Sequence, residues 1–277
     1  MSVGTAARRG RAAARRTAGS SAMDAAARWG LAARGVIYLL VGLLALQIAF
    51  GGGGEEADQS GALRQVSEQP FGRVVVWAIG LGLVGMAVWR LAEALFGAAG
   101  SGGRKPSRRL VSAARFAVYT VLATSVLLFA AGEKGSGSSD EQSQDLTARA
   151  LELPAGQWLV GAACLVVVGA GCHIAWKGLK RKFREELKRG AMSRTTRRTV
   201  DVLGVAGSVS RGAVFIVAGV FLGQAALASD ADQAKGVDQT LRSFADTPAG
   251  PWLLVAVSVG LALFGAFSLA LARFSRV

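Results

Sequence analysis

Three arginines stand inside apolar runs of this chain: Arg34, Arg115 and Arg211. Each is followed by an aromatic residue four positions on (Tyr38, Tyr119, Phe215) and a small one at eight (Gly42, Ala123, Gly219). A guanidinium is permanently charged and offers five N–H donors in a planar fork, so three at one depth suit a phosphate or carboxylate. The simpler use is local. An arginine near the end of a membrane helix reaches the headgroups and fixes the direction of crossing. A pair between Arg34 and Glu93 is an equally simple use. Convergence of the three would mark Arg34, Arg115 and Arg211 as a site for an anion or lipid headgroup.

Catalytic chemistry finds little support. His173 is the only histidine and has no carboxylate one helical turn away. Cys164 and Cys172 are eight residues apart on one predicted helix, about 12 Å along its axis and too far to bridge. Neither H-E-x-x-H nor C-x-x-C occurs, so no metal or other cofactor is implied. A serine-based triad lacks a base and an acid at membrane level. Gly80-Leu-Gly-Leu-Val-Gly85 matches G-x-G-x-x-G in letters only, since no strand precedes it. The chain is therefore expected not to be an enzyme. Gln47 and Gln224, each thirteen residues after an arginine of the triad, are candidates for a polar path, or else for interhelical hydrogen bonds.

What must position these residues is legible in composition. With 52% hydrophobic residues, 37 Gly and 5 Pro, the chain carries six apolar runs, near 31–50, 72–96, 110–131, 157–177, 204–228 and 251–272. A membrane helix needs about 20 residues and a membrane strand about half that, so the fold class is an all-α membrane protein with six transmembrane helices. Charge alternates between the connections. The first 34 residues hold seven Arg against Asp24; 51–70 holds Arg64 against four acids; 97–109 holds four cations; 132–156 holds two cations and five acids; 177–203 holds ten cations and three acids; 229–250 holds two cations and four Asp. Lys and Arg concentrate on the cytoplasmic side, which places both termini and the basic loops in the cytoplasm of a bacterial plasma membrane. The net charge of +14 then points to anionic inner-leaflet lipids of the bilayer, not to nucleic acid.

The arrangement repeats. Each arginine opens a span, an acidic loop follows, and Pro-x-Gly opens the next span: Pro70 and Gly72, Pro154 and Gly156, Pro248 and Gly250. Trp158 and Trp252 then share a position. The units are a basic tail, 1–27, expected to be disordered; hairpins 28–97, 109–183 and 202–277; and linkers 98–108 and 184–201. Two crossings per hairpin give every unit the same orientation, so the repeats are parallel and a pseudo-threefold bundle closes them. Each acidic loop carries an apolar pair at helical spacing, Leu63 with Val66, Leu146 with Ala150 and Leu241 with Phe244, suggesting short helices that rest on the outer membrane interface or cap the bundle. Proline suits the first turn of the following span, and Thr247 suits its N-cap.

Arg-Gly-x-x-Tyr/Phe at the entry of the odd helices, DQSGALRQVSEQPFGR in the first loop and WRLAEA closing the second helix together resemble the bacterial domain of unknown function 1206 family. The resemblance covers nearly all of the chain after the arginine-rich tail, and it implies three tandem two-helix membrane units. The second unit departs from it, with Phe116 and Ala123 where the others have Gly. The expected function is a non-enzymatic scaffold or interaction protein of the envelope or of stress responses, with a membrane-protein partner. The alternative is a small transporter or channel along the pseudo-threefold axis.

Overall fold

The computed structural model describes residues 21–51, 56–97, 106–132, 137–188, 190, 192–246 and 249–275. Among them are nine α-helices, α1 (Ser21–Ala49), α2 (Gln59–Ser67), α3 (Gly72–Phe96), α4 (Pro106–Ala131), α5 (Ser139–Leu151), α6 (Gly156–Leu179), α7 (Arg194–Ala228), α8 (Val237–Ala245) and α9 (Gly250–Phe274). Six of these, α1, α3, α4, α6, α7 and α9, are long and apolar enough to cross a membrane. Helix α1 begins at Ser21, so residues 21–27 are helical where a disordered tail is expected, and Ala27 is fully buried. Most of the tail, and Pro248 with Thr247, lie outside the described residues.

Each unit is an entry helix (α1, α4, α7), a short helix in its acidic loop (α2, α5, α8) and a return helix (α3, α6, α9). The broadest packing runs between units: α3 on α4, α6 on α7, and α9 back on α1. Lipid gives apolar helices no hydrophobic reason to associate, so close backbone approach must hold them. Glycine provides it. A Cβ on Gly265 would stand 2.7 Å from the Gly35 carbonyl oxygen, and one on Gly212 would stand 2.7 Å from that of Gly171. These are the same crossing in two interfaces; in the third, α3 on α4, the corresponding residues are Ala87 and Phe116. Within units α1 packs on α3 and α7 on α9, but α4 and α6 do not form the third such contact. The pseudo-threefold ring is open on that side.

Toward the acidic end the centre is filled by apolar side chains, among them Ile37, Val41, Leu44, Leu83, Val126 and Leu261. Two of the short helices seal that end, burying Leu63 on α2 and Leu241 and Phe244 on α8. The third differs from expectation: Leu146 is 68% exposed, and α5 turns Asp140 and Thr147 inward instead. The Pro-x-Gly turns also differ. The helices start at glycine, so Pro70 and Pro154 precede the N-caps Phe71 and Ala155 and do not sit in the first turn. Phe71 and Ala155 take left-handed backbone angles, φ 64° and 62°. The following Gly72 and Gly156 lie against the carbonyl oxygens of Val66 and Ala150, leaving no room for a Cβ. Among the return helices, proline stands at the helix start only in α9, as Pro251.

Because the α1–α9 crossing depends on bare backbone, Gly265→Leu is expected to destabilise the protein by about 3 kcal/mol. Gly169→Leu on α6, where a Cβ meets open space, should stay within ~0.5 kcal/mol. Denaturant unfolding of the two variants in micelles checks the contrast.

Candidate functional site

At the basic end the ring encloses charge. Arg34 on α1 donates from Nε to Ser268 Oγ of α9 at 3.3 Å and from Nη1 to the Tyr119 hydroxyl of α4 at 3.4 Å. Its guanidinium lies 5.3 Å from the centre of the Phe264 ring. Arg211 on α7 shares that ring at 5.0 Å and also faces Tyr38 at 5.4 Å and Phe215 at 5.3 Å. Tyr119 feels the charge of Arg34, Arg211 and Arg90, and Arg115 lies among Arg90, Glu93, Tyr119 and Glu186. The Tyr119 hydroxyl thus touches Arg34 and lies in the field of Arg211, with Arg115 one turn before it on α4. Repeat position explains the geometry: Ser268 occupies in α9 the place that Arg90 holds in α3, so Arg34 finds a hydroxyl where Arg115 meets another cation.

The negative charge nearby is mostly spoken for. Glu93 pairs with Arg90 at 2.6 Å and accepts from Ser112 Oγ at 3.2 Å, so the pair with Arg34 is replaced by one with Arg90. Arg90 also lies 4.0 Å over the Trp89 ring. Among the described residues Arg211 is met by aromatic faces, and its buried Nε has no hydrogen-bond partner there. Aromatic rings attract a cation, by about 0.5–2 kcal/mol each, but accept few of its N–H bonds. An arginine at this depth calls for an oxyanion.

Two further arginines act in a way the sequence alone did not reveal. Arg28 donates to the carbonyls of Ala272 and Arg273 at the end of α9, and Arg109 to those of Ala94 and Leu95 at the end of α3. Both satisfy terminal carbonyls and oppose the negative end of the helix dipole. Their shared offset from Arg34 and Arg115 is a signal visible in the sequence, but its meaning needs the neighbouring helix.

Other candidates do not join the cluster. Gln47 is exposed in a shallow groove of about 430 Å³ with Leu43, Leu46, Phe50 and Gln65, and Gln224 is exposed on α7. Thirteen residues carry a helical side chain about 220° around the axis from the arginine, so neither glutamine lines a path with the triad. His173 lies 6.2 Å from the Trp176 ring, and Cys172 is exposed.

The acidic end holds a second constellation. Asp58 of the first unit accepts from the Ser139 amide of the second at 2.7 Å, and Asp140 of the second accepts from the Gln239 amide of the third at 3.2 Å. Asp238 of the third accepts from the Ala57 amide of the first at 2.8 Å, closing a cycle. Arg242 pairs with Asp238 at 2.7 Å, and Ser60 and Gly61 donate to Asp58. Burial, then the nearby charge of Asp238, push the Asp140 carboxyl up to about 6, against the pull of its backbone donors. Burial and Asp58 likewise raise Glu56. Carboxylates here tie the three units together.

Comparison with known proteins agrees with the repeat. The model of the Domain of Unknown Function family DUF1206 matches residues 29–97, 110–181 and 206–275. The chain belongs to the DUF1206 family. It is 32% identical over 249 residues, 87% of each chain, to the uncharacterized protein YxxB of Bacillus subtilis (strain 168). No solved structure matches it. Each DUF1206 match covers most of one entry helix, the short helix of its acidic loop and one return helix.

A raised carboxyl makes the folded state bind a proton more readily than the unfolded chain, so the strain of ionised Asp140 is relieved as pH falls through about 6. Asp140→Asn, which keeps an acceptor without the charge, should raise the unfolding temperature at pH 7.5 and have little effect at pH 5. Unfolding followed at both values checks the sign.

Proposed function

We propose that this chain is a non-enzymatic scaffold of the bacterial plasma membrane that binds an anionic group on its inner side through Arg34, Arg211 and Arg115. The orientation follows from the alternating charge of the connections, with the basic end and both termini in the cytoplasm. The observation that carries the reading is Arg211, faced by three rings with a buried Nε that no oxygen of the described residues meets. Anionic inner-leaflet lipid is the partner that the excess Lys and Arg of that face favour, and a membrane protein partner would meet the same surface. A transport path has less support, because the axis beyond the arginines is occupied by Val41, Leu44, Val126 and Leu261.

The test uses the full chain in phosphatidylcholine nanodiscs. Inorganic phosphate, compared with chloride at equal ionic strength, should raise the unfolding temperature by roughly 2 °C or more. Arg211→Gln should remove that shift and weaken phosphate binding about tenfold or more. An equal response of wild type and Arg211→Gln to phosphate would contradict the reading.

A further inference from the structure

The open side of the ring is written into the repeat. In the first unit the entry and return helices cross at small residues: a Cβ on Gly30 would stand 2.7 Å from both the Gly82 carbonyl and Met86 Cβ, and Gly82 faces Trp29 and Ala33. The third unit repeats this crossing, with a Cβ on Gly207 2.6 Å from the Phe264 nitrogen and Gly260 against Ser210. Counting from the triad arginines and from the Pro-x-Gly glycines, the second-unit counterparts are Val111 for Gly30 and Gly207, and Val166 for Gly82 and Gly260. Both valines are exposed. Branched side chains stand where the crossing needs bare backbone, so α4 and α6 stay apart.

The gap adjoins the arginines. Arg115 and Tyr119 belong to α4, four and eight residues along from Val111, and Arg115 keeps an exposed face. Among the described residues the other sides are partly covered. At the basic end the linker after α6 folds against α7 and α9: Phe183 meets the Phe267 ring edge-on at 4.9 Å and covers Gly204, Leu187 bridges to Ser275, and Arg184 pairs with Asp201. At the acidic end the apolar core intervenes. The gap left between α4 and α6 faces the bilayer, flanked by the exposed Val111 and Val166, with Arg115 one helical turn farther from the basic end than Val111.

We infer that the gap between α4 and α6 is a lateral portal, flanked by Val111 and Val166, through which the headgroup of one anionic diacyl phospholipid enters, its phosphate held by Arg34, Arg115 and Arg211 and its acyl chains staying in the bilayer. Charge fixes the headgroup as anionic, and the opening toward lipid between two exposed valines fixes the source as the membrane. The inference rests on the anion-binding reading above and adds the route and the lipid.

The test is native mass spectrometry of the full chain released from nanodiscs with equal phosphatidylglycerol and phosphatidylcholine, read beside the phosphate-induced thermal shift. Wild type should keep one phosphatidylglycerol in at least fivefold preference. Val111→Gly with Val166→Gly, which restores the crossing of the other units, should lose that preference and keep the phosphate shift. Val166→Trp, which fills the gap from an exposed position, should do the same if the double variant fails to fold. Arg211→Gln should lose both signals. Retention of phosphatidylglycerol by the filled and closed variants would overturn the portal, as would its displacement by glycerol 3-phosphate at equal concentration, which would assign the site to a soluble anion. Absence of both lipid and phosphate signals in wild type would overturn the anion site itself and the portal with it.

Discussion

Helices dissolved in lipid gain nothing from covering one another's apolar faces, and this absence of a hydrophobic drive is the constraint on which the structure depends. Association must come from backbone approach and from polar groups that find partners. Here the approach is made between units, at Gly35 with Gly265 and Gly171 with Gly212. A return helix therefore belongs structurally to the next entry helix as much as to its own. Duplication of a hairpin becomes a ring because each unit leaves one face for the following one.

Polar groups do the rest, sorted by end. At the acidic end each unit's aspartate grips a backbone amide of the next, Asp58 to the second unit, Asp140 to the third and Asp238 to the first. Burial, and then repulsion from the neighbouring Asp238 carboxylate, raise the pKa of Asp140. At the basic end Arg28 and Arg109 tie entry helices to the termini of neighbouring return helices. Arg34 and Arg211 lie within this bracing with Arg115 at its exposed edge, and among the described residues the Arg211 Nε meets no acceptor. Departures from symmetry are concentrated in the second unit: Phe116 at the inter-unit crossing, and Val111 and Val166 at the intra-unit one.

Much of this was readable from residues alone, and the boundary of legibility is physical. Hydropathy, length and the Arg-to-aromatic spacing marked six spans in three units because each is a property of one segment. Which span touches which is a property of pairs, so the inter-unit packing, the caps of Arg28 and Arg109 and the aspartate cycle were not legible. Leu146 illustrates the limit: its apolar spacing matched a core-facing helix, yet α5 buries Asp140 and Thr147 because those side chains have amides and neighbours to meet. Gln47 and Gln224 shared a repeat position, which says nothing about the face they occupy. Substitution of Gly by Val at two aligned places was visible from the start, but acquired meaning only when the other units showed that those glycines touch.

The central claim is that the enclosed arginines hold an anion supplied by their surroundings. A cryo-electron microscopy map of the full chain in native-lipid nanodiscs tests it most directly. The account predicts density for an oxyanion between Arg211, Arg34 and the Tyr119 hydroxyl, within about 3 Å of the guanidinium nitrogens. Guanidinium groups turned out to the headgroup layer, with aromatic side chains closing the space between them, would contradict it.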